Sequence, residues 1–268
     1  VLLASAGGLY AAYQGIRGAT ETEFVFLKLF TASGEVIPSL VSFIALFVPI
    51  IGIALGFDAI NSERSSGTLN RILSQPIYRD SVINGKFLAG IVTLFIMTAA
   101  TLLIVSGYGL RMIGVAPTAE EIIRLFVYLV FTIIYGAFWM GLAMLFSILF
   151  RRVAISLLSA IAVWLFFGFF YTLMIAPAVA GSIETYLTLI RFSPCSLFDQ
   201  ATTVLLLPMV RSLGIITQAQ AAYMIPNPLS LGQSMLLIWP HLTTLIGLTA
   251  ICFAISYVVF MRQEVRST

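Results

Sequence analysis

The chain is poor in almost everything from which catalytic centres are built. Its 268 residues include two cysteines and one histidine. Cys195 and Cys252 lie far apart, so neither a disulfide framework nor a CxxC metal pair is available. Cys252 sits inside an apolar run and is expected to act as a small buried hydrophobe. His241 follows Trp239-Pro240 at the start of another such run, where an interfacial histidine fits better than a metal ligand or a catalytic base. No GxxxxGK[ST] phosphate loop is present, so the chain is not expected to hydrolyse ATP. No Ser/His/Asp set or pair of acids falls at a plausible depth, and no catalytic, cofactor-binding or metal-ligating residue is expected. Charged residues make up 9% of the chain, with a net charge of +3. So small an excess reflects where basic residues sit relative to a membrane, not a surface for nucleic acid. Internal repeats, low-complexity tracts and a separate soluble domain are also lacking, and 1–268 reads as one domain.

What fills the chain is hydrocarbon. Apolar residues account for 60%, and the mean hydropathy of +1.06 lies outside the range of soluble domains. Several uninterrupted apolar runs reach roughly 20 residues, the length that spans a bilayer as a helix. They do not alternate polar and apolar residues, which excludes a transmembrane barrel. The reading is an all-α integral membrane protein with six spans, near 1–15, 37–57, 85–109, 123–150, 153–176 and 237–261. The first, "VLLASAGGLYAAYQG", is short, begins at Val and lacks the basic front of a signal peptide. It reads as a truncated span in a chain without its native N-terminus.

Orientation follows from Lys and Arg in short loops. Arg64, Arg71, Arg79 and Lys86 lie between spans two and three, Arg151-Arg152 between four and five, and Arg262 and Arg266 after span six. All fall on one side, which makes that side and both termini cytoplasmic. The long loop 177–236 is then external. Within it, "IETYLTLIRF" and "LFDQATTVLLLPMVRSLG" carry apolar residues at helical spacing and read as short helices on or dipping into the outer face, as does "FVFLKLF" at 24–30. No Asp, Glu, Lys or Arg falls near the centre of a span, which argues against a proton-driven carrier, a pump with an internal relay or a voltage-gated channel. The polar residues of the spans are Ser and Thr, such as Thr93, Thr98, Thr101, Ser156, Ser159 and Thr249, expected to hydrogen-bond between or within helices. Gly52 and Gly56 form a GxxxG pair in span two, a spacing that permits close helix packing.

Against this background one short stretch stands out. Of 14 basic and 11 acidic residues, seven lie between 58 and 86: Asp58, Glu63, Arg64, Arg71, Arg79, Asp80 and Lys86. Gly67 breaks the run, and Thr68 can cap a new helix. Leu69, Ile72 and Leu73 then share one face at helical spacing, and Pro76 interrupts it. Asp80 or Ser81 is expected to cap the next helix, which runs through Lys86 into span three. A loop that only set topology would need a few lysines. A capped helix with an apolar edge framed by charge suits docking into a groove on a soluble partner.

The stretch "FDAINSERSSGTLNRILSQPIYRDSVINGKFLAG" resembles the hallmark segment of type-2 ABC transporter permeases. Within them it is most similar to the branch that holds the permease of the nitrous-oxide-reductase maturation system. The resemblance rests on Phe57, Asp58, Ile60, Glu63, Arg64, Gly67, Thr68, Leu69, Leu73, Ser74, Pro76, Ile77, Arg79, Gly85 and Lys86. The chain departs at Ser65, where the family often has an acid, and at Ile72, where it has leucine. The resemblance implies a permease subunit of an exporter, paired with a second copy as a homo- or heterodimer in the plasma membrane of a bacterium or archaeon. Each copy would dock on a cytoplasmic ABC ATPase through a coupling helix around 66–76. Arg151-Arg152 would make a second, smaller contact, and the external helices at 183–213 would form a lid. "LSLGQS" at 229–234 looks like the signature of a cassette ATPase, but no nucleotide-binding domain surrounds it. A stand-alone secondary carrier or channel, or a membrane scaffold serving assembly, is the alternative; the uncharged spans and the docking-type segment count against it. A lipid, a hydrophobic peptide or a drug-like molecule would suit an apolar interior with scattered hydroxyls.

Overall fold

The computed structural model describes residues 24–31, 39–68, 78–114, 116–178, 183–208 and 229–262. Regular structure among them is helical throughout, as expected. In chain order the helices are α1 (Val25–Thr31), α2 (Leu40–Gly56), α3 (Asn61–Ser65), α4 (Arg79–Ile113), α5 (Ala119–Leu149) and α6 (Val153–Leu165). A π-helical turn (Phe166–Phe170) follows, then α7 (Tyr171–Ala178), α8 (Ile183–Ile190), α9 (Pro194–Leu206) and α10 (Leu231–Arg262). Five stretches are long and apolar enough to cross a membrane: Leu40–Ser65, Arg79–Arg111, Ala119–Leu149, Val153–Ile175 and Leu231–Arg262. The span expected at 1–15 lies outside the described residues, and so does the apolar edge expected at 69–76.

Capping chemistry moves several helix ends away from where the apolar runs stop. α4 begins at Arg79, ahead of the caps expected at Asp80 or Ser81. The Asp80 carboxylate instead lies in the first turn and accepts the Ser81 N–H at 2.9 Å, where a negative charge complements the helix dipole. α10 begins at Leu231, six residues before the expected span. Ser230 and Gln233 bond reciprocally: the Ser230 N–H donates to Gln233 Oε1 at 3.2 Å, and the Gln233 N–H donates to Ser230 Oγ at 3.5 Å. "LSLGQS" is therefore a helix start signal. His241 lies inside this longer helix and is 3% exposed. α4 closes at Gly114, whose φ of +72° suits a left-handed cap and whose N–H reaches the Leu110 carbonyl at 2.9 Å.

The chain divides into two compact units. The first takes the described residues of Val1–Phe47, Thr98–Thr132 and Ala178–Thr243. Its core includes Phe26, Leu27, Leu29 and Phe30 of α1 with Leu197, Phe198, Val204, Leu205 and Leu206 of α9. The Phe198 ring lies 6.3 Å from Tyr128 and 5.8 Å from Phe131, both on α5. α9, the described part of "LFDQATTVLLLPMVRSLG", is thus a helix as expected and is buried within this unit along most of its length. Apolar side chains on more than one face of α9 explain this burial, because a helix with a single apolar stripe would bury only that stripe.

The second unit takes the described residues of Val48–Met97, Ile133–Pro177 and Thr244–Thr268. Here α2 lies against the backbone of α5. A Cβ on Gly52 would sit 2.6 Å from the Gly136 carbonyl, and one on Gly56 2.5 Å from the Met140 carbonyl. Gly90 of α4 and Gly136 of α5 are similarly crowded, by Met140 and by Val48 and Leu94. Ile60, Ile83, Met144, Ile148 and Phe260 form one buried cluster, flanked by Phe87 and Phe253 with ring centroids 4.3 Å apart. Cys252 is only half-buried, less than its apolar run led us to expect. Thr93 and Thr249 bond back to carbonyls one turn earlier on their own helices.

Candidate functional site

The charged segment starts where α2 ends. Phe57 to Ile60 form a tight turn, α3 makes little more than one helical turn, and Gly67, at φ +72°, ends it. So short a helix cannot hold itself, because most of its backbone groups lack intrahelical partners. Three other helices hold the segment. Ser147 of α5 accepts the backbone N–H groups of Ile60 and Asn61 at 3.0 and 3.1 Å. Ser156 of α6 donates its hydroxyl to the Phe57 carbonyl at 2.8 Å. Lys86 of α4 pairs with Glu63 at 2.7 Å, both side chains being about three-quarters buried. Within the segment, the Ser62 hydroxyl donates to the Asp58 carbonyl, and the Thr68 hydroxyl turns back to the Glu63 carbonyl at 3.2 Å.

The residues expected to dock a partner are thus distributed in three ways. Asp58, Glu63, Arg64, Arg79 and Lys86 are half-buried at the root of the segment, and of these Glu63 and Lys86 are brought together. Gly67, Thr68, Arg151 and Arg152 are exposed, the last two in the link between α5 and α6. Leu69, Ile72, Leu73, Ser74 and Pro76 lie outside the described residues. Gly52 and Gly56 set the approach of α2 to α5 immediately before the root. One buried group there stands without a partner among the described residues: Asn61 is 0% exposed, and neither atom of its carboxamide is hydrogen-bonded.

A second polar centre, in the first unit, was not anticipated. Arg124 of α5 is fully buried. Its guanidinium donates to Glu120 at 2.7 and 3.1 Å, to the Leu205 carbonyl at 2.8 Å, to Ser234 at 3.1 Å and to the Leu229 carbonyl at 2.7 Å. The same end of α5 carries a capping box, in which Thr118 and Glu121 bond reciprocally at 2.8 and 3.3 Å. The other Glu121 oxygen accepts the N–H groups of Phe26 and Leu27, which open α1. One helix start therefore holds α1, the end of α9 and the start of α10. Thr-x-x-Glu at 118–121 and the Glu120/Arg124 spacing were signals of a helix start in the sequence. The partners of Arg124 on α9 and α10 were not, being 81 to 110 residues away. His241 also belongs to this unit, with Nε2 3.3 Å from Gln200 Oε1.

Neither centre gathers metal-ligating side chains: among the described residues no group of three or more His, Cys, Asp or Glu could hold an ion. What the first centre offers is mechanical, a short charged element tied to three candidate spans. The comparisons with known proteins agree with that character. Over 158 residues the chain is 30% identical to the probable ABC transporter permease protein NosY of Pseudomonas aeruginosa, a match covering 54% of this chain and 52% of that protein. The chain thus matches about half the length of this curated relative. The resemblance drawn from residues 57–86 holds at the level of the family, and this relative accords with the branch. Residues 3–265 match the family described as ABC-2 family transporter protein. With nearly its whole length covered, this membrane-spanning chain belongs to the ABC-2 family of transporter proteins.

Proposed function

We propose that the chain is the transmembrane permease subunit of an ATP-binding cassette exporter. It moves its substrate across the plasma membrane of a bacterium or archaeon, while a separate cytoplasmic subunit hydrolyses ATP. Six spans set both termini in the cytoplasm, and two permease copies pair, as a homo- or heterodimer. Segment 58–86 docks on the ATPase through the apolar edge Leu69, Ile72 and Leu73, framed by Asp58, Glu63, Arg64, Arg79 and Lys86. Gly67 and Thr68 open the coupling helix, Ser74 and Pro76 close it, and Arg151-Arg152 make the smaller contact. ATP binding closes the ATPases, shifts the docked segments and changes the populations of inward- and outward-facing states.

The observation that carries this reading is the root of the segment. α4, α5 and α6 each send one side chain to residues 57–63, namely Lys86, Ser147 and Ser156, so a force on the segment reaches three candidate spans at once. Co-expression with a candidate cassette ATPase tests it, comparing wild type with Leu69→Asp plus Leu73→Asp. The wild type is expected to retain the ATPase and the variant to lose it, with membrane insertion unchanged. Retention by both would move docking elsewhere, and a wild type that binds no ATPase would favour the carrier or scaffold alternative.

A further inference from the structure

Resting on the permease reading, we infer that Asn61 and Ser147 are positioning residues that give the docking segment two stable settings. In the setting seen here, the Ser147 hydroxyl holds the first turn of α3 by its backbone, and the Asn61 carboxamide is buried without a partner among the described residues. In the other, α3 rolls and the carboxamide takes over the Ser147 hydroxyl. Three observations lead there. The first is the burial of Asn61 at 0% exposure with both amide atoms unpartnered among the described residues. Native structures seldom tolerate such a group, and where one persists it commonly stores a cost that another state relieves. The second is proximity. The Ser147 oxygen lies 3.1 Å from the Asn61 backbone nitrogen, within the sweep of so short a side chain. The third is the form of the attachment. Ser147 grips α3 only through backbone N–H groups, a grip that depends on the angle of the turn and not on a side chain that could follow it. The apolar side chains beside the turn, Ile60 and Met144, pack by contacts that have no preferred direction.

The inference separates stability from turnover, which a purely structural role would not do. Replacing an unpartnered buried amide by an apolar group of similar size removes a cost from the present setting. The other setting loses the only bond that distinguishes it. Asn61→Leu is therefore expected to raise the thermal midpoint of the purified permease by about 2–4 °C. The same variant should lower vanadate-sensitive ATP hydrolysis of the permease–ATPase complex by about tenfold, with the ATPase still bound. Ser147→Ala should lower both quantities, and Ser147→Thr, which keeps the hydroxyl, should restore hydrolysis. If Asn61→Leu stabilises the protein and leaves hydrolysis at the wild-type rate, the two settings do not exist. If it destabilises the protein, the carboxamide has a partner and the inference is equally overturned. If the wild-type chain recruits no ATPase, the permease reading fails first and takes this inference with it.

Discussion

Arg124 and Ser147 sit on the same helix, α5, and each fastens irregular backbone to it, but they do so with opposite chemistry. Arg124 is a donor that satisfies carbonyls at the end of α9 and the start of α10. Ser147 is an acceptor that satisfies amides at the start of α3. The guanidinium makes five hydrogen bonds to four partners, one of them an acid. The hydroxyl accepts two, beside a buried amide that bonds to nothing described. A planar cation saturated on every edge has one geometry and tolerates no rotation. A single oxygen between two amides tolerates a range of angles. The comparison separates a centre fixed by its chemistry from one whose chemistry leaves room for rotation.

Removing the saturated centre should have the largest effect. Arg124→Ala strips the donor from two backbone carbonyls, Ser234 and Glu120. Loss of one member of a buried charged network costs about 3–5 kcal/mol, or a fall in thermal midpoint of roughly 10 °C. Arg124→Lys should recover only part of this, because an ammonium cannot reproduce the planar fork. Thermal unfolding of the detergent-solubilised protein reads both. A fall as small as that of Ser147→Ala would erase the contrast between the centres.

A smaller effect is expected at the glycines that lead into the movable centre. A methyl on Gly56 meets the Met140 carbonyl at 2.5 Å and the Ala143 Cβ at 3.0 Å, so α2 must move off α5 to accept it. Overpacking against backbone costs about 1–3 kcal/mol. Gly56→Ala should therefore lower the midpoint by about 3–8 °C. It also sharpens the comparison. If it loosens ATPase-linked behaviour as much as Ser147→Ala does, packing at α2 rather than the hydroxyl sets the angle of the turn.

How much of this was legible in the sequence depends on the range over which each feature is encoded. The candidate spans follow from apolar runs, and so does the helical class. The contact made by Gly52 and Gly56 was suggested by local spacing alone. Helix ends were less legible, because hydropathy stops at the last apolar residue while capping bonds carry on: Ser230 and Gln233 lengthen α10 past a polar stretch. His241, inside that helix, is buried beside Gln200, a neighbour that hydropathy could not reveal. In the sequence Arg124 is one basic residue among 14. Its role lies in partners that only the fold brings near. Ser147 and Asn61 were invisible for the same reason, 86 positions apart and chemically ordinary.

The smallest effect tests whether the saturated centre is also indifferent to pH. Asp199 lies on α9, outside the candidate spans, on the helix that presents the Leu205 carbonyl to Arg124. Crowding by neighbouring protein atoms strips part of its hydration and pushes its carboxyl up from 3.8 to about 6. A folded-state value above the unfolded one means that the native protein holds the proton more tightly. That stabilisation is complete below about pH 4, declines through the interval up to about pH 6 and is absent above it. Asp199→Asn cannot titrate, so relative to wild type it should gain stability on going from about pH 4 to about pH 7.5. Asp199 is nonetheless exposed at its surface, so solvent screens its charge and a gain of only about 1–2 °C in thermal midpoint is expected. Repeating the Arg124→Ala measurement at both pH values then decides whether the two groups act together. An equal penalty means that the guanidinium holds α9 whatever the charge on Asp199. A smaller penalty at high pH means that ionisation of Asp199 already loosens α9, and the centre built to stay has a titratable weakness within it.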